Sequence, residues 1–146
     1  MSDYERALIR QMNRLFNAGR LDALVELFAP VLPIYTNNGS SLSATHADTK
    51  KSLLRLMEAA RDRGSVLLEH KIKSVQVSPK STSSVVFVAW NYLGADGHAV
   101  ASGEVKYYCG RDPLGIARIL MVEYVTPAFT EALSEVPRSK NSRVLN

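Results

Sequence analysis

Residues 84–109 read SVVFVAWNYLGADGHAVASGEVKYYC. On both sides of Asp96-Gly97 apolar residues recur at every second position, the period of strands rather than helices. Asp-Gly between two such runs signals a two-residue hairpin, because the tight turn needs a positive φ that glycine adopts freely. That turn sets a register in which Ala95 faces His98, Asn91 faces Ser102 and Ala89 faces Glu104. The same period extends outward. It predicts a strand over 66–77, with a bulge near Ser74 where the apolar parity changes. It predicts another over 116–126, after a longer loop at Gly110–Gly115.

Upstream of residue 64 the period is helical. Tyr4, Leu8, Met12, Leu15 and Phe16 form one stripe, Ser2 with Glu5 reads as a capping box, and Gly19 stands where a left-handed C-cap sits. A second short helix, with Asp22 at its N-cap, buries Leu24, Leu27 and Phe28 and ends at Pro30. Val31–Thr36 reads as an edge strand because Pro33 lies inside it. After a turn at 37–41, a third helix starts near Thr45 or Asp48, carries Leu53, Leu56, Met57 and Ala60 on one face, and stops at Gly64. Thr126-Pro127 reads as the N-cap and first position of a last short helix. Helices followed by an antiparallel meander define an α+β domain. The expected architecture is a curled antiparallel sheet wrapped around the N-terminal helices, a single cone-shaped (cystatin-like) domain over residues 1–137, with 138–146 as a flexible tail.

Composition narrows the function classes. The chain has 146 residues, a net charge of +4 and one cysteine, Cys109. A disulfide framework is thereby excluded. His46, His70 and His98 lack metal-ligand spacing, and no glycine-rich phosphate loop is present, so neither metal nor cofactor is expected. No apolar run approaches the ~20 residues of a membrane span. The polar start, Met1 to Arg6, does not read as a signal peptide, which predicts a cytoplasmic protein. The basic residues form no stripe with interleaved aromatics, so no nucleic-acid partner is expected.

The run Phe16-Asn17-Ala18-Gly19-Arg20-Leu21-Asp22-Ala23-Leu24, the order of elements, and the end Glu123-Tyr124-Val125-Thr126-Pro127 resemble the nuclear transport factor 2-like superfamily. That superfamily includes SnoaL-like polyketide cyclases and ketosteroid-isomerase-like proteins. The resemblance spans residues 3 to about 135. It implies a cone fold and leaves the activity open, because one fold hosts many functions.

Parity divides the three strands after residue 84 into two faces. One carries Val86, Val88, Trp90, Tyr92, Gly103, Val105, Tyr107, Arg118, Leu120, Val122 and Tyr124. The other carries Phe87, Asn91, Ser102, Glu104, Lys106, Tyr108, Met121 and Glu123. Apolarity alone puts the first face against the helices. The resemblance implies the reverse, because the residue before the closing strand's tyrosine, here Glu123, points into the cavity in the family's isomerases and cyclases. On that expectation Asn91, Ser102 and Glu123 form a row, with Glu104 opposite Met121 on the diagonal and Lys106 beyond. Two carboxylates so placed in an apolar cone resist joint ionisation, which would tune Glu123 as a general acid or base with Glu104 assisting. Asn91, Ser102, Lys106 and Met121 would contact the ligand, a small apolar or mixed-polarity molecule. The competing reading is a cross-strand charge set on a solvated or interface face. On the orientation the resemblance implies, the first face, with Trp90, Tyr92, Tyr107 and Tyr124, would lie outside and join two copies as a homodimer.

The family's steroid isomerases place an aspartate at the end of the first strand and a tyrosine in the first helix. Thr36 and Met12 hold those positions here, so that mechanism is not expected, although Thr36 stays a candidate ligand contact. His70 shares parity with Leu68 and Ile72. It reads either as a satisfied core histidine or as a pocket acid or base. The function expected is a small-molecule-binding cone, either a cofactor-free cyclase- or isomerase-type enzyme or a non-catalytic binding or dimerisation module.

Overall fold

A computed structural model describes residues 3–36, 39, 41–80 and 83–129 of the chain. In chain order the elements are α1 (Tyr4–Asn17), α2 (Leu21–Val25), β1 (Val31–Tyr35), β2 (Ser41–Thr45), α3 (His46–Asp62), β3 (Ser65–Val77), β4 (Ser84–Gly94), β5 (Ala99–Arg111) and β6 (Ala117–Thr126). The strands form one curled, unclosed sheet in the order β2-β1-β6-β5-β4-β3. Among the described residues no helix is long and apolar enough to cross a membrane. The expected capping box at Ser2 and the tail lie outside the described residues; of the last helix expected from Thr126-Pro127, residues 127–129 are described and are not helical, and the rest lies outside the described residues.

The sheet is mixed rather than wholly antiparallel. β1 runs parallel to β6, with Ile34 opposite Val122 and Tyr35 opposite Glu123. The Phe28–Ile119 bridge continues that parallel contact, with Ile119 N–H donating to Leu27 O and Ala29 N–H to Ile119 O, both at 2.8 Å. β2 was expected as part of a turn and a helix start; it pairs with β1 over Val31–Tyr35. Thr45 ends β2 and caps α3, its hydroxyl accepting from Asp48 N–H while the Asp48 carboxylate accepts from Thr45 N–H. The caps of α1 and α2, Asp3 and Arg20, lack such side-chain bonds, and Asp22, expected as the cap of α2, lies inside it.

The central hairpin holds the register read from its sequence, Asn91 opposite Ser102 and Ala89 opposite Glu104. Its loop is one residue longer than expected. Gly94 N–H donates to His98 O at 2.8 Å, leaving Ala95, Asp96 and Gly97 between them, with Gly97 at φ 85°. A compensating irregularity between Tyr92 and Leu93 restores the pairing. β3 shifts register between Ile72 and Ser74, where the bulge was expected.

The β5–β6 register differs by four residues. Glu123 lies opposite Lys106, not Ser102, and Met121 opposite Tyr108, not Glu104. A further shift at Leu120 turns Ile119 fully inward, so Arg118 leaves the inner face. It reaches sideways to Asp112 Oδ2 (2.7 Å) and to the Glu26 carbonyl.

The inner face is the apolar one. Val86, Val88, Trp90, Tyr92, Val105, Tyr107 and Val122 are buried with Leu8, Ile9, Met12 and Leu15 of α1 in a single core. This reverses the expected orientation. Four consecutive inward positions of β4 carry large apolar groups, and burying each such side chain contributes about 1.5–3 kcal/mol. No polar row on the other face offsets that. Trp90, Tyr92 and Tyr107 are therefore core residues, not the surface that joins two copies.

β3 is an edge strand, and α1 covers part of it. Asn17 answers both backbone groups of Leu68, donating from Nδ2 to its carbonyl at 2.9 Å and accepting its N–H on Oδ1 at 2.7 Å. Asn13 Nδ2 donates to the same carbonyl at 2.8 Å. Side-chain amides thus stand where a neighbouring strand would, which blunts the edge. Asn17→Ala should destabilise the fold by about 1–3 kcal/mol in urea unfolding, since Leu68 N–H loses its partner at a buried position. A change under a few tenths would show that water replaces the amide without loss.

Candidate functional site

The helices and the inner sheet face enclose a cavity of about 70 Å³. Met12 and Phe16 of α1, Leu24 of α2, Thr49, Ser52, Leu53 and Leu56 of α3, and Leu68 of β3 form one side. Trp90, Tyr92, Gly103, Val105, Tyr107, Val122 and Tyr124 form the other, and Thr126–Phe129 close the end. Among the described residues that line it there is no carboxylate, imidazole, lysine or arginine.

Its polar atoms are few and specific. Trp90 Nε1–H donates to the Tyr107 hydroxyl at 2.8 Å, with the two rings edge to face at 6.3 Å. Burial pushes the Tyr124 phenol up to about 12. It pushes Tyr107 well above its ordinary value, with Tyr124 and Tyr92 adding to the effect, and raises Tyr92 in the same way. All three phenols are thus neutral at physiological pH. Thr49, only 3% exposed, has a hydroxyl with no hydrogen-bond partner among the described residues.

The residues expected to act together lie outside this cavity. Glu104 is on the outer face and pairs with Lys73 of β3 at 2.5 Å. Glu123, also outside, accepts from the Tyr108 hydroxyl at 3.1 Å. Burial first, and then that bond to Glu123, raises the Tyr108 phenol. Ser102 Oγ donates to Asn91 Oδ1 at 2.9 Å, exposed. Lys106 stands over the Phe87 ring at 5.7 Å, and Lys73 at 4.8 Å. Met121 is half-buried on the same face, and Thr36 at the end of β1 does not line the cavity. The expected pocket row is therefore a cross-strand charge and aromatic set on the sheet exterior. Only the Asn91–Ser102 pairing survives as a contact.

His70 lies at the margin, in a groove between α1 and β3 with Arg10, Arg14 and Glu69. Its ring stands 5.9 Å from Trp90. Asn13 presents Oδ1 to it because Nδ2 is committed to Leu68 O, so His70 Nδ1 is the donor. Loss of solvent, and secondarily Arg10, lower its pKa, while Glu69 opposes them. The unfolded chain then binds the proton more readily than the folded one. Stability should fall as pH drops below the ordinary value near 6.5 and level off below the folded value. His70→Gln should flatten that part of the stability–pH curve, and an NMR titration should put the His70 midpoint below 6.5; a midpoint above it would contradict this environment.

Sequence reasoning did not place several of the lining residues in a cavity, among them Thr49, Tyr124 and Phe129. Thr49 follows the spacing of Leu53, Leu56 and Ala60 and so belonged to the buried stripe, but its hydroxyl disguised it. Tyr124 was read as an interface residue. Phe129 fell in an expected helix.

The fold is shared with known structures. Against an NTF-2 like protein of unknown function from Shewanella oneidensis the TM-score is 0.63 at 18% identity, covering 84% of this chain and 96% of that one. Aln2 from Streptomyces gives 0.64 at 10%, covering 92% and 97%. A ketosteroid isomerase-like protein from Erwinia carotovora gives 0.54 at 13%, covering 84% and 94%. No family model matches, and no curated protein matches. The chain has the NTF2-like, cystatin-like cone fold, as its sequence motifs implied.

The Trp90–Tyr107 bond gives a further expectation. Tyr107→Phe leaves a buried indole N–H unpaired and should cost about 1–3 kcal/mol by urea unfolding. Glu104→Ala and Glu123→Ala should each change stability by less than about 1 kcal/mol.

Proposed function

We propose that this protein is a non-catalytic binding module that holds a small, uncharged, largely apolar molecule inside its cone. The observation that carries this reading is the chemistry of the cavity wall. Its only titratable groups among the described residues are phenols, each held neutral by burial. A general acid or base works best with a pKa near the operating pH, and a phenol raised to about 12 is far from it. A charged ligand would lose its hydration and find no counter-charge. An apolar ligand finds aromatic and aliphatic walls with a few hydroxyls to orient it, the usual composition of a small-molecule site.

Trp90 is the sole tryptophan and lines the cavity, so it reports occupancy. Its fluorescence should respond saturably to a neutral ring compound such as benzyl alcohol, and not to benzoate. Glu104→Ala and Glu123→Ala should leave that response unchanged. Equal binding of benzoate, or loss of the response in either glutamate variant, would defeat the reading in favour of a site that uses the carboxylates.

We also propose that two copies pair through the outer sheet face. Val85, Phe87, Ala89 and Leu93 of β4, with Tyr108, Met121 and Val125, are only half-buried there. Val85, Tyr108 and Met121 lie in one cross-strand row, and the face also carries Glu104, Lys106 and Glu123. Sedimentation should give twice the chain mass, and Phe87→Glu should give the single-chain mass. A single-chain mass for the unaltered protein at micromolar concentration would exclude this pairing.

A further inference from the structure

Beyond Thr126 the chain leaves the sheet and crosses β5 at Gly103. A Cβ on Gly103 would stand 2.8 Å from the Thr126 carbonyl oxygen, 3.0 Å from the Ala128 nitrogen and 3.1 Å from the Ala128 Cβ. Two of those atoms are backbone, so only glycine admits the crossing without displacing it. The crossing delivers Phe129 into the end of the cone. Its ring is 1% exposed and meets Tyr92 edge to face at 4.8 Å, with the Arg63 guanidinium 5.6 Å from its centre. Among the described residues, Pro127, Ala128 and Phe129 make no backbone–backbone hydrogen bond. Among the described residues the strap is therefore held by what Phe129 buries and not by backbone hydrogen bonds, and segments so held open most readily.

The remaining space fits this arrangement. About 70 Å³ is room for a few waters, whereas a dry cavity of ~150 Å³ admits benzene. With Phe129 in place the space is less than half the volume that admits a benzene ring. Thr49 lines the same cavity, and its unpartnered hydroxyl is the kind of buried group that a ligand satisfies.

Building on the binding reading above, we propose that Phe129 occupies the ligand's own ring position. The ligand is an uncharged one-ring alcohol or phenol. It displaces Phe129, sets its ring against Tyr92 and hydrogen-bonds Thr49 Oγ1. Plug and ligand compete for one space, so whatever weakens the plug raises the apparent affinity.

Benzyl alcohol and toluene are the probes, read by Trp90 fluorescence on the full chain. Gly103→Ala, which strikes the strap backbone, and Phe129→Ala, which removes the plug, should each bind benzyl alcohol about tenfold more tightly than the unaltered protein. Thr49→Val should erase the preference for benzyl alcohol over toluene. In the unaltered protein, saturating benzyl alcohol should abolish the Phe129–Tyr92 ring contacts in NOE spectra, a readout that needs no variant to fold. If benzyl alcohol binds with those contacts intact, or if both folded strap variants bind no more tightly, the plug is overturned while the binding reading stands. If neither probe binds the unaltered protein or any variant, both fall.

Discussion

Everything in the structure depends on which face of the β4–β5 hairpin meets the helices. The Trp90–Tyr107 hydrogen bond marks that choice. An indole can be buried here because its one polar atom, the N–H, donates to the Tyr107 oxygen. With that pair inside, Val86, Val88 and Tyr92 follow by parity, α1 lies over them, and β3 is fixed by the Asn13 and Asn17 side chains. The outward parity then carries the lysines and glutamates to water. The inside is left with phenols, one unpaired hydroxyl and no charge among the described lining residues.

Much of the fold was legible because short-range signals carried it. Asp96-Gly97 fixed the central register although the loop is a residue longer, since a bulge beside it compensates. The parity change near Ser74 marked a real irregularity. What local pattern cannot encode was missed. The parallel β1–β6 contact joins segments some ninety residues apart, with no turn to set it. β2, made mostly of small and polar residues in Ser41–Thr45, carries little strand signal. The loop at 110–115 offered no fixed turn, because Asp112 organises it with side-chain bonds to Leu114, Ile116 and Arg118 that hold its carboxyl below the usual range.

The site was less legible than the fold, and the reason is specific. Apolarity placed Trp90 and Tyr107 inside, and superfamily likeness placed Glu123 inside; the two cannot both hold on one sheet. Burial decides between them. Outside, Glu104 and Glu123 find Lys73 and Tyr108 beside water. Inside, they would replace large apolar groups and lose hydration at a cost no neighbour offsets. Gly103 and Phe129 needed the tertiary crossing to acquire meaning, since neither a strand glycine nor a phenylalanine past the last strand announces a contact.

The orientation of the hairpin can be tested directly through the lone tryptophan. Acrylamide quenching of Trp90 should be weak and unchanged on dilution from high micromolar to nanomolar protein, because the indole is buried within one chain at 4% exposure. Strong quenching that appears on dilution would place Trp90 on a surface between copies and reverse the account.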